Sequence, residues 1–168
     1  MVDKQDESEM LQSIADLGQQ LMTLGWSLGV AESCTGGLLG HLLTNLPGSS
    51  DFFKGGIVAY SNDVKHTLLK VEDAILEQHG AVSQETVLAM VRGARRTLDV
   101  ELAAAITGIA GPGGGTKDKP VGTVWIAVSH PGGENAQLFH MQGNRLQVKQ
   151  QSALAALEMV LAALPDST

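Results

Sequence analysis

Ser33 lies where a predicted strand ends and a predicted helix begins, in the segment Ala31-Glu32-Ser33-Cys34-Thr35-Gly36-Gly37. Ligands of open α/β sheets bind at the carboxyl ends of strands, and a helix start presents backbone N–H groups that lack partners. A serine in this place can act as a nucleophile, and the backbone N–H groups from Cys34 to Gly37 can bind an oxyanion. The alternative interpretation is that Ser33 or Thr35 only caps the helix.

Cys34 is the sole cysteine of the chain, and it permits two interpretations. A thiolate at a helix N-terminus is a nucleophile, whereas a free cysteine is more often a small buried apolar residue. A single cysteine excludes an intramolecular disulfide and a Cys-x-x-Cys metal site.

The five histidines show no metal-ligand spacing, and we therefore predict no metal site.

A second candidate segment, Tyr60-Ser61-Asn62-Asp63-Val64-Lys65, follows a predicted strand and contains the only tyrosine of the chain. We expect residues 61–63 to cap a short helix, with Lys65 one turn beyond Asn62. A lysine becomes a useful base only when burial lowers its pKa. The alternative is a solvated lysine on a short surface helix, which is the usual place for this residue type.

A third candidate is the glycine-rich segment Thr107-Gly108-Ile109-Ala110-Gly111-Pro112-Gly113-Gly114-Gly115-Thr116, which follows a predicted buried strand. Its composition predicts neither helix nor strand. It lacks the spacing of a Walker A loop and of a dinucleotide-binding GxGxxG loop. Its backbone N–H groups can form a nest that binds an anion, and the alternative is a long surface turn.

The elements that must position these segments alternate along the chain. We predict six helices. They cover residues 8–24, about 35–43, a short segment that is capped by residues 61–63 and ends at about 69, residues 73–79, the segment that is capped by Ser83 and ends at about 98, and residues 146–164. Predicted strands cover residues 26–31, 52–60, 102–106, 121–128 and 136–141. The alternation predicts a three-layer α/β/α sandwich with a mixed sheet, in which a short turn makes the last two strands antiparallel. We expect one domain over residues 8–164, with flexible tails at 1–7 and 165–168.

Composition and charge exclude several classes of protein. Apolar residues make up 43% of the 168 residues, which is enough for a sizeable core. The net charge of −7 argues against a surface that coats nucleic acid, because phosphate binding requires a basic face. The polar start does not resemble a signal peptide, and no apolar run approaches the ~20 residues of a membrane span. We therefore expect a soluble cytoplasmic protein with no nucleic-acid or membrane partner.

Six segments together carry a family resemblance. They are Ala31–Gly37, Pro47–Ser50, Gly56–Lys65, Gly80–Ser83, Thr107–Pro112 and Lys119–Trp125. In this order they resemble the CinA C-terminal domain family, whose characterised members are nicotinamide-nucleotide amidohydrolases. The resemblance runs from about residue 8 to 163. It implies a compact three-layer α/β/α domain in its free-standing form, frequently a homodimer.

The activity implied by the resemblance is hydrolysis of the carboxamide of nicotinamide mononucleotide. The products are nicotinate mononucleotide and ammonia, in pyridine nucleotide recycling, without a metal or organic cofactor. The family's catalytic serine, tyrosine and lysine match Ser33, Tyr60 and Lys65, and a site threonine matches Thr107. The alternative is a nucleotide-binding or regulatory module of the same fold without turnover.

Two further groups of residues are expected to bind the substrate. Those around the carboxamide are Cys34, Thr35, Gly36, Gly37 and Asn62. Those around the phosphate are Gly108, Gly111, Gly113, Gly114, Gly115 and Arg145. One departure lies at Gly143-Asn144-Arg145, where the family usually has Gly-Asp-Arg. Losing that carboxylate either alters only a helix cap or releases Arg145.

Overall fold

The protein is described by a computed structural model that covers residues 4–165, with side chains from residue 8 onward. The helices are α1 (Lys4–Leu24), α2 (Leu38–Thr44), α3 (Asn62–Leu69), α4 (Asp73–His79), α5 (Gln84–Leu98) and α6 (Arg145–Ala162). The strands are β1 (Leu28–Glu32), β2 (Phe53–Val58), β3 (Leu102–Gly108), β4 (Thr123–His130) and β5 (Gly133–His140).

The five strands form one mixed sheet in the order β2-β1-β3-β4-β5. Strand β1 runs parallel to both β2 and β3, and Ala31 pairs with Ile57 on one side and Ala105 on the other. Strand β4 runs antiparallel to β3 and to β5, as the short turn between the last two strands predicts. The carboxyl ends of β2, β1 and β3 therefore meet at one end of the sheet.

Two apolar cores, one on each face of the sheet, confirm the predicted three layers. Helices α1, α2 and α6 pack on the face that carries Leu28, Val30 and Ile106. Helices α3, α4 and α5 cover the other face, to which β3 contributes Ala103 and Ala105. Because successive side chains of a strand point to opposite faces, β3 supplies both cores at once.

Several predicted boundaries are wrong, and glycine geometry explains two of them. Helix α2 begins at Leu38 rather than near Thr35, because Gly36 and Gly37 have positive φ angles of 63° and 97°. Such left-handed residues cannot continue a right-handed helix. Strand β4 begins at Thr123 rather than 121, after Gly122 at a φ of 92°.

Three other boundaries extend further than predicted. Strand β3 runs on through Thr107 and Gly108, which the composition assigned to the loop, because both residues pair with β4. Strand β5 starts at Gly133 instead of 136, since its hairpin with β4 pairs as far as His130. Helix α1 begins at Lys4, inside the stretch expected to be a flexible tail. The remainder of the expected tails, 1–3 and 166–168, lies outside the described residues.

Gly93 tests how closely the helices over β3 are packed. A Cβ on Gly93 of α5 would lie 2.0 Å from the backbone oxygen of Leu69, at the end of α3. Gly93→Ala should therefore destabilise the fold by at least about 2 kcal/mol, through overpacking against rigid backbone. At this chain length that loss lowers the melting temperature by about 4 °C or more in scanning calorimetry.

Gly40→Ala in α2 is the matched control, because its Cβ would have ordinary contacts, the nearest being Glu32 Oε1 at 3.6 Å. The free energy of unfolding of this control should exceed that of the parent protein, by no more than about 1 kcal/mol, because alanine is the better helix former. Equal stability of the two variants would contradict the close approach of α3 and α5.

Candidate functional site

Three polar side chains predicted from separate segments meet at the carboxyl ends of the parallel strands. Ser33 follows β1, Tyr60 follows β2 by two residues, and Thr107 is the penultimate residue of β3. They line a cleft of about 280 Å³. The whole lining consists of Ser33, Cys34, Tyr60, Asn62, Lys65, Ala81, Val82, Thr107, Gly108, Ile109, Ala110, Gly111, Gly113, Gly114 and Arg145. The cleft thus contains all four residues that the resemblance implies to be catalytic.

The main chain around Ser33 is fixed by extensions of the strand ladders. Ser33 N–H donates to the oxygen of Ile106 at 2.9 Å, and Ala59 N–H donates to the oxygen of Glu32 at 2.8 Å. These bonds continue the pairing of β1 with β3 and β2 beyond the regular strands. Ser33 is consequently held by rigid sheet rather than by a free loop.

Lys65 is the largest fully buried side chain described, at 1% exposure. Its Nζ donates to Ser33 Oγ at 3.1 Å and to the backbone oxygen of Ala59 at 2.9 Å. The backbone oxygen of Tyr60 lies further away, at 3.4 Å. Helix α3, capped by the Ser61 hydroxyl that accepts from Val64 N–H, directs the lysine into the cleft floor. The solvated alternative for Lys65 is therefore wrong.

No carboxylate of the described residues lies within ion-pair distance of Lys65. Burial lowers the pKa of the Lys65 amine from its ordinary value, because the charged form loses its hydration without gaining a counter-ion. This environment favours a neutral amine beside the serine hydroxyl.

Glu32 is buried next to Ser33, but its carboxylate points towards α2. Oε2 accepts from the N–H groups of Gly37 at 3.1 Å and Leu39 at 3.0 Å, and Oε1 accepts from Gly40 at 2.8 Å. The carboxylate thereby occupies the start of α2 as a capping group. It also stays away from Lys65, where its negative charge would favour the protonated amine.

This capping corrects the expected set of oxyanion donors. Gly37 N–H is bound by Glu32, and Gly36 N–H donates to the oxygen of Ser33 at 3.1 Å. Neither glycine lines the cleft. Thr35 is fully buried and does not line it either, and its hydroxyl has no partner among the described residues. Of the predicted donors, only the N–H groups of Cys34 and Thr35 remain without a backbone partner in the described chain.

Cys34 lines the cleft beside Ser33 but is 6% exposed. Burial raises the pKa of its thiol to about 11, so that the thiol is protonated at neutral pH. Of the two interpretations of Cys34, the structure supports the small buried residue.

Arg145, at the start of α6, closes one side of the cleft. Its Nη1 donates to the oxygen of Gly111 at 2.6 Å, and its Nη2 donates to the Tyr60 hydroxyl at 2.7 Å. The Tyr60 hydroxyl therefore has a guanidinium partner, and only the Tyr60 backbone oxygen is near Lys65. Asn144 caps α6 by accepting from Gln147 N–H at 3.1 Å, so the asparagine that departs from the family pattern preserves the cap, and Arg145 is not released.

The segment Ala81–Val82 is the part of the cleft lining that our residue-by-residue reasoning missed. Thr107 is buried, and its hydroxyl donates to the oxygen of Ala81 at 2.7 Å, which fixes this segment against β3. The signal that could have found it is the motif Gly80-Ala81-Val82-Ser83, which we used only as part of the resemblance. Of the glycine-rich segment, Gly108, Gly111, Gly113 and Gly114 line the cleft, and Gly115 does not.

The described residues contain no cluster of histidine, cysteine, aspartate or glutamate suited to a metal ion. Between residues 4 and 165, no helix has the length and apolar character needed to cross a membrane.

A model of the CinA C-terminal domain matches residues 11–164. The chain belongs to the CinA C-terminal domain family. A CinA-like protein of Desulfotalea psychrophila is 45% identical over 144 residues, which is 86% of this chain and 35% of that protein. A CinA-like protein of Parasynechococcus marenigrum is 51% identical over 140 residues, covering 82% of this chain and 33% of its own length. The chain thus spans about a third of the curated relatives that it matches.

Solved structures of the CinA superfamily share the fold. The competence/damage-inducible protein CihA from Agrobacterium tumefaciens superposes with a TM-score of 0.87 at 37% identity, covering 91% of this chain and 94% of that one. The competence damage-inducible protein A from Klebsiella pneumoniae superposes with a TM-score of 0.89 at 31% identity, covering 95% of this chain and 99% of that one.

The capping role of Glu32 yields a stability prediction. Glu32→Gln keeps the side-chain length but turns an amide NH₂ group towards backbone N–H donors, leaving at least one of them unsatisfied. The free energy of unfolding should fall by about 1–3 kcal/mol, as measured by urea denaturation. Glu77→Gln on the exposed face of α4 is the control, with an expected change within about 0.5 kcal/mol. If both substitutions cost the same, the capping role is refuted.

Proposed function

We propose that this protein hydrolyses the carboxamide of nicotinamide mononucleotide to nicotinate mononucleotide and ammonia, with Ser33 as nucleophile and Lys65 as general base. The observation that carries the proposal is the 3.1 Å contact between Lys65 Nζ and Ser33 Oγ on the floor of the cleft. Membership of the CinA family supports it. The chemistry needs a nucleophile, a proton carrier and an oxyanion site, and the cleft offers a candidate for each.

The partners of Lys65 suit a neutral amine. An NH₂ group has two hydrogens and one lone pair, and the backbone oxygens of Ala59 and Tyr60 can accept the two hydrogens. When the amine is neutral, its lone pair can face Ser33, and the hydrogen bond between the two groups then runs from the serine hydroxyl to the amine. In this arrangement the buried amine is a base for the serine proton before any substrate binds.

The reaction follows from this arrangement in two stages. Ser33 Oγ attacks the carboxamide carbon while its proton passes to Lys65, and the carbonyl oxygen becomes an oxyanion near the N–H group of Cys34, which lines the cleft. As the C–N bond breaks, Lys65 returns the proton to the leaving nitrogen, and ammonia departs. Water then attacks the ester carbon while Lys65 takes its proton, and Lys65 passes that proton to Ser33 Oγ as the Oγ–C bond breaks, which releases the acid and regenerates the serine.

The remaining cleft residues suit a charged nucleotide. The pyridinium ring of the substrate is cationic, and its approach disfavours protonation of Lys65 at the moment when a base is needed. We assign the phosphate to the side lined by Gly111, Gly113, Gly114 and Arg145, where backbone N–H groups and a guanidinium are available. Tyr60 would bind substrate at the cleft edge, with its hydroxyl oriented by Arg145.

The decisive experiment measures ammonia released from nicotinamide mononucleotide by the purified protein, with and without EDTA. Release that is unaffected by EDTA is expected for a serine–lysine mechanism. Activity that vanishes in EDTA and returns with a divalent ion would refute this mechanism. No release at all would favour the alternative, a nucleotide-binding module without turnover. The homodimer and the cytoplasmic location remain predictions.

Ser33 and Cys34 are adjacent in the cleft, and their alanine variants separate the two candidate nucleophiles. Ser33→Ala should lower kcat by about 1,000-fold or more, because the attacking atom is lost. Cys34→Ala should lower it less than about tenfold, since a protonated thiol with only a packing role is removed. Mass spectrometry of the protein during turnover checks for an acyl group on Ser33. The reverse ranking of the two variants would refute the assignment.

Lys65 should impose a pH dependence on the reaction. An amine accepts a proton only in its neutral form, so kcat/KM should rise with pH and then reach a plateau. The midpoint of the rise should lie below 10.5, the ordinary pKa of a lysine. Lys65→Arg should be nearly as inactive as Lys65→Ala, because a guanidinium cannot lose its proton in a protein. Lys70→Arg, an exposed change just beyond the same helix, is the control and should leave the profile unchanged. High activity of Lys65→Arg would show that the lysine only positions substrate.

A further inference from the structure

Lys119 connects two parts of the cleft wall that are far apart in the chain. Its Nζ donates to the backbone oxygen of His79 at 2.9 Å and lies 3.7 Å from the point that a Cβ on Gly80 would occupy. His79 ends α4, and the next residues, Ala81 and Val82, line the cleft. Lys119 does not line the cleft itself, so it can act on a ligand only through the segments that it connects.

The glycine-rich wall of the cleft, residues 110–115, is anchored at its two ends. Within the described chain, no backbone–backbone hydrogen bond reaches these six residues. At one end, Arg145 donates to the oxygen of Gly111 at 2.6 Å. At the other end, Thr116 N–H donates to the oxygen of Lys119 at 2.8 Å, and Lys119 N–H donates to the Thr116 hydroxyl at 3.0 Å. The side chain of Lys119 then attaches this second anchor to the end of α4.

The segment to which Lys119 binds is itself held by the packed layers of the fold. The backbone oxygens of residues 79–81 each accept a hydrogen bond from a side chain of another part of the chain. The first donor is Lys119. The second is the buried hydroxyl of Thr86 in α5, and the third is the hydroxyl of Thr107 in β3. Because helix and sheet fix residues 79–81, the Lys119 bond restrains the glycine-rich wall rather than moving with it.

We propose that Lys119 is a positioning residue that holds the glycine-rich wall in place against residues 79–82 and so prepares the cleft for its substrate. This inference rests on the proposed function for its effect on turnover. A wall that is loose before binding must be ordered when the substrate binds, and that ordering lowers affinity. Strand pairing holds Ser33 independently of Lys119. Loss of the Lys119 bond should therefore weaken substrate binding and leave the chemical step unchanged.

The first test measures hydrogen exchange by mass spectrometry on the full chain without ligand. Lys119→Met removes the ammonium and keeps the aliphatic stem, so peptides covering residues 109–123 should exchange about threefold faster or more, while those covering 28–36 stay unchanged. Lys119→Arg should restore slow exchange, because a guanidinium can donate to the same carbonyl. Lys117→Met, an exposed change two residues away, removes the same charge and should have no effect. Equal exchange in Lys119→Met and Lys117→Met would overturn the inference.

The second test measures ammonia release from nicotinamide mononucleotide by the same variants. Lys119→Met should raise KM about threefold or more with kcat within about twofold, and Lys119→Arg should restore KM. A fall in kcat at unchanged KM would overturn the inference. If ammonia is released and Lys119→Met has the KM of Lys117→Met, this inference alone fails. If the parent protein releases no ammonia, the proposed function fails, and the exchange experiment alone decides whether Lys119 holds the wall.

Discussion

The burial of the Lys65 amine beside Ser33 is the constraint around which the site is built. An ammonium taken out of water without a counter-ion is costly, and the cost falls when the group loses its proton. The fold provides backbone oxygens for the amine hydrogens and keeps carboxylates away, so it accepts a neutral lysine and disfavours a charged one. Such an arrangement adds nothing obvious to stability, and an amine whose pKa is lowered by burial beside a hydroxyl in a cleft marks a candidate functional site.

Glu32 shows how the same segment accommodates an acidic side chain without bringing its carboxylate to the Lys65 amine. Successive residues of an extended strand point to opposite faces, and Glu32 turns towards α2 while Ser33 faces the cleft. The three N–H donors that Glu32 binds belong to the turn formed by Gly36 and Gly37 and the first residues of α2. The glycines that looked like an anion site in the sequence serve instead to bring these donors to an internal carboxylate.

Much of the site could be predicted from the sequence because it follows a simple rule of α/β sheets. Ser33, Tyr60 and Thr107 each follow or end an apolar run, and parallel strands bring such positions to one edge. The contact between Ser33 and Lys65 joins residues 32 apart in the chain, and no local pattern indicates it. Burial of Lys65 likewise depends on α3 packing over the sheet, and propensity alone favoured a solvated lysine.

The elements that sequence reasoning placed least well are those whose backbone is decided by tertiary contacts. Thr107 and Gly108 belong to β3 because β4 offers them ladder partners, although their composition is that of a loop. Ala81 enters the cleft because the Thr107 hydroxyl binds its oxygen across 26 residues of chain. Helix α6, distant in sequence from Ser33, supplies Arg145 to Tyr60 and Gly111 and so connects the edge of β2 to the glycine-rich segment. The cleft therefore depends on the docking of α6 as well as on the sheet, because α6 provides the Arg145 contacts, whereas strand pairing holds Ser33.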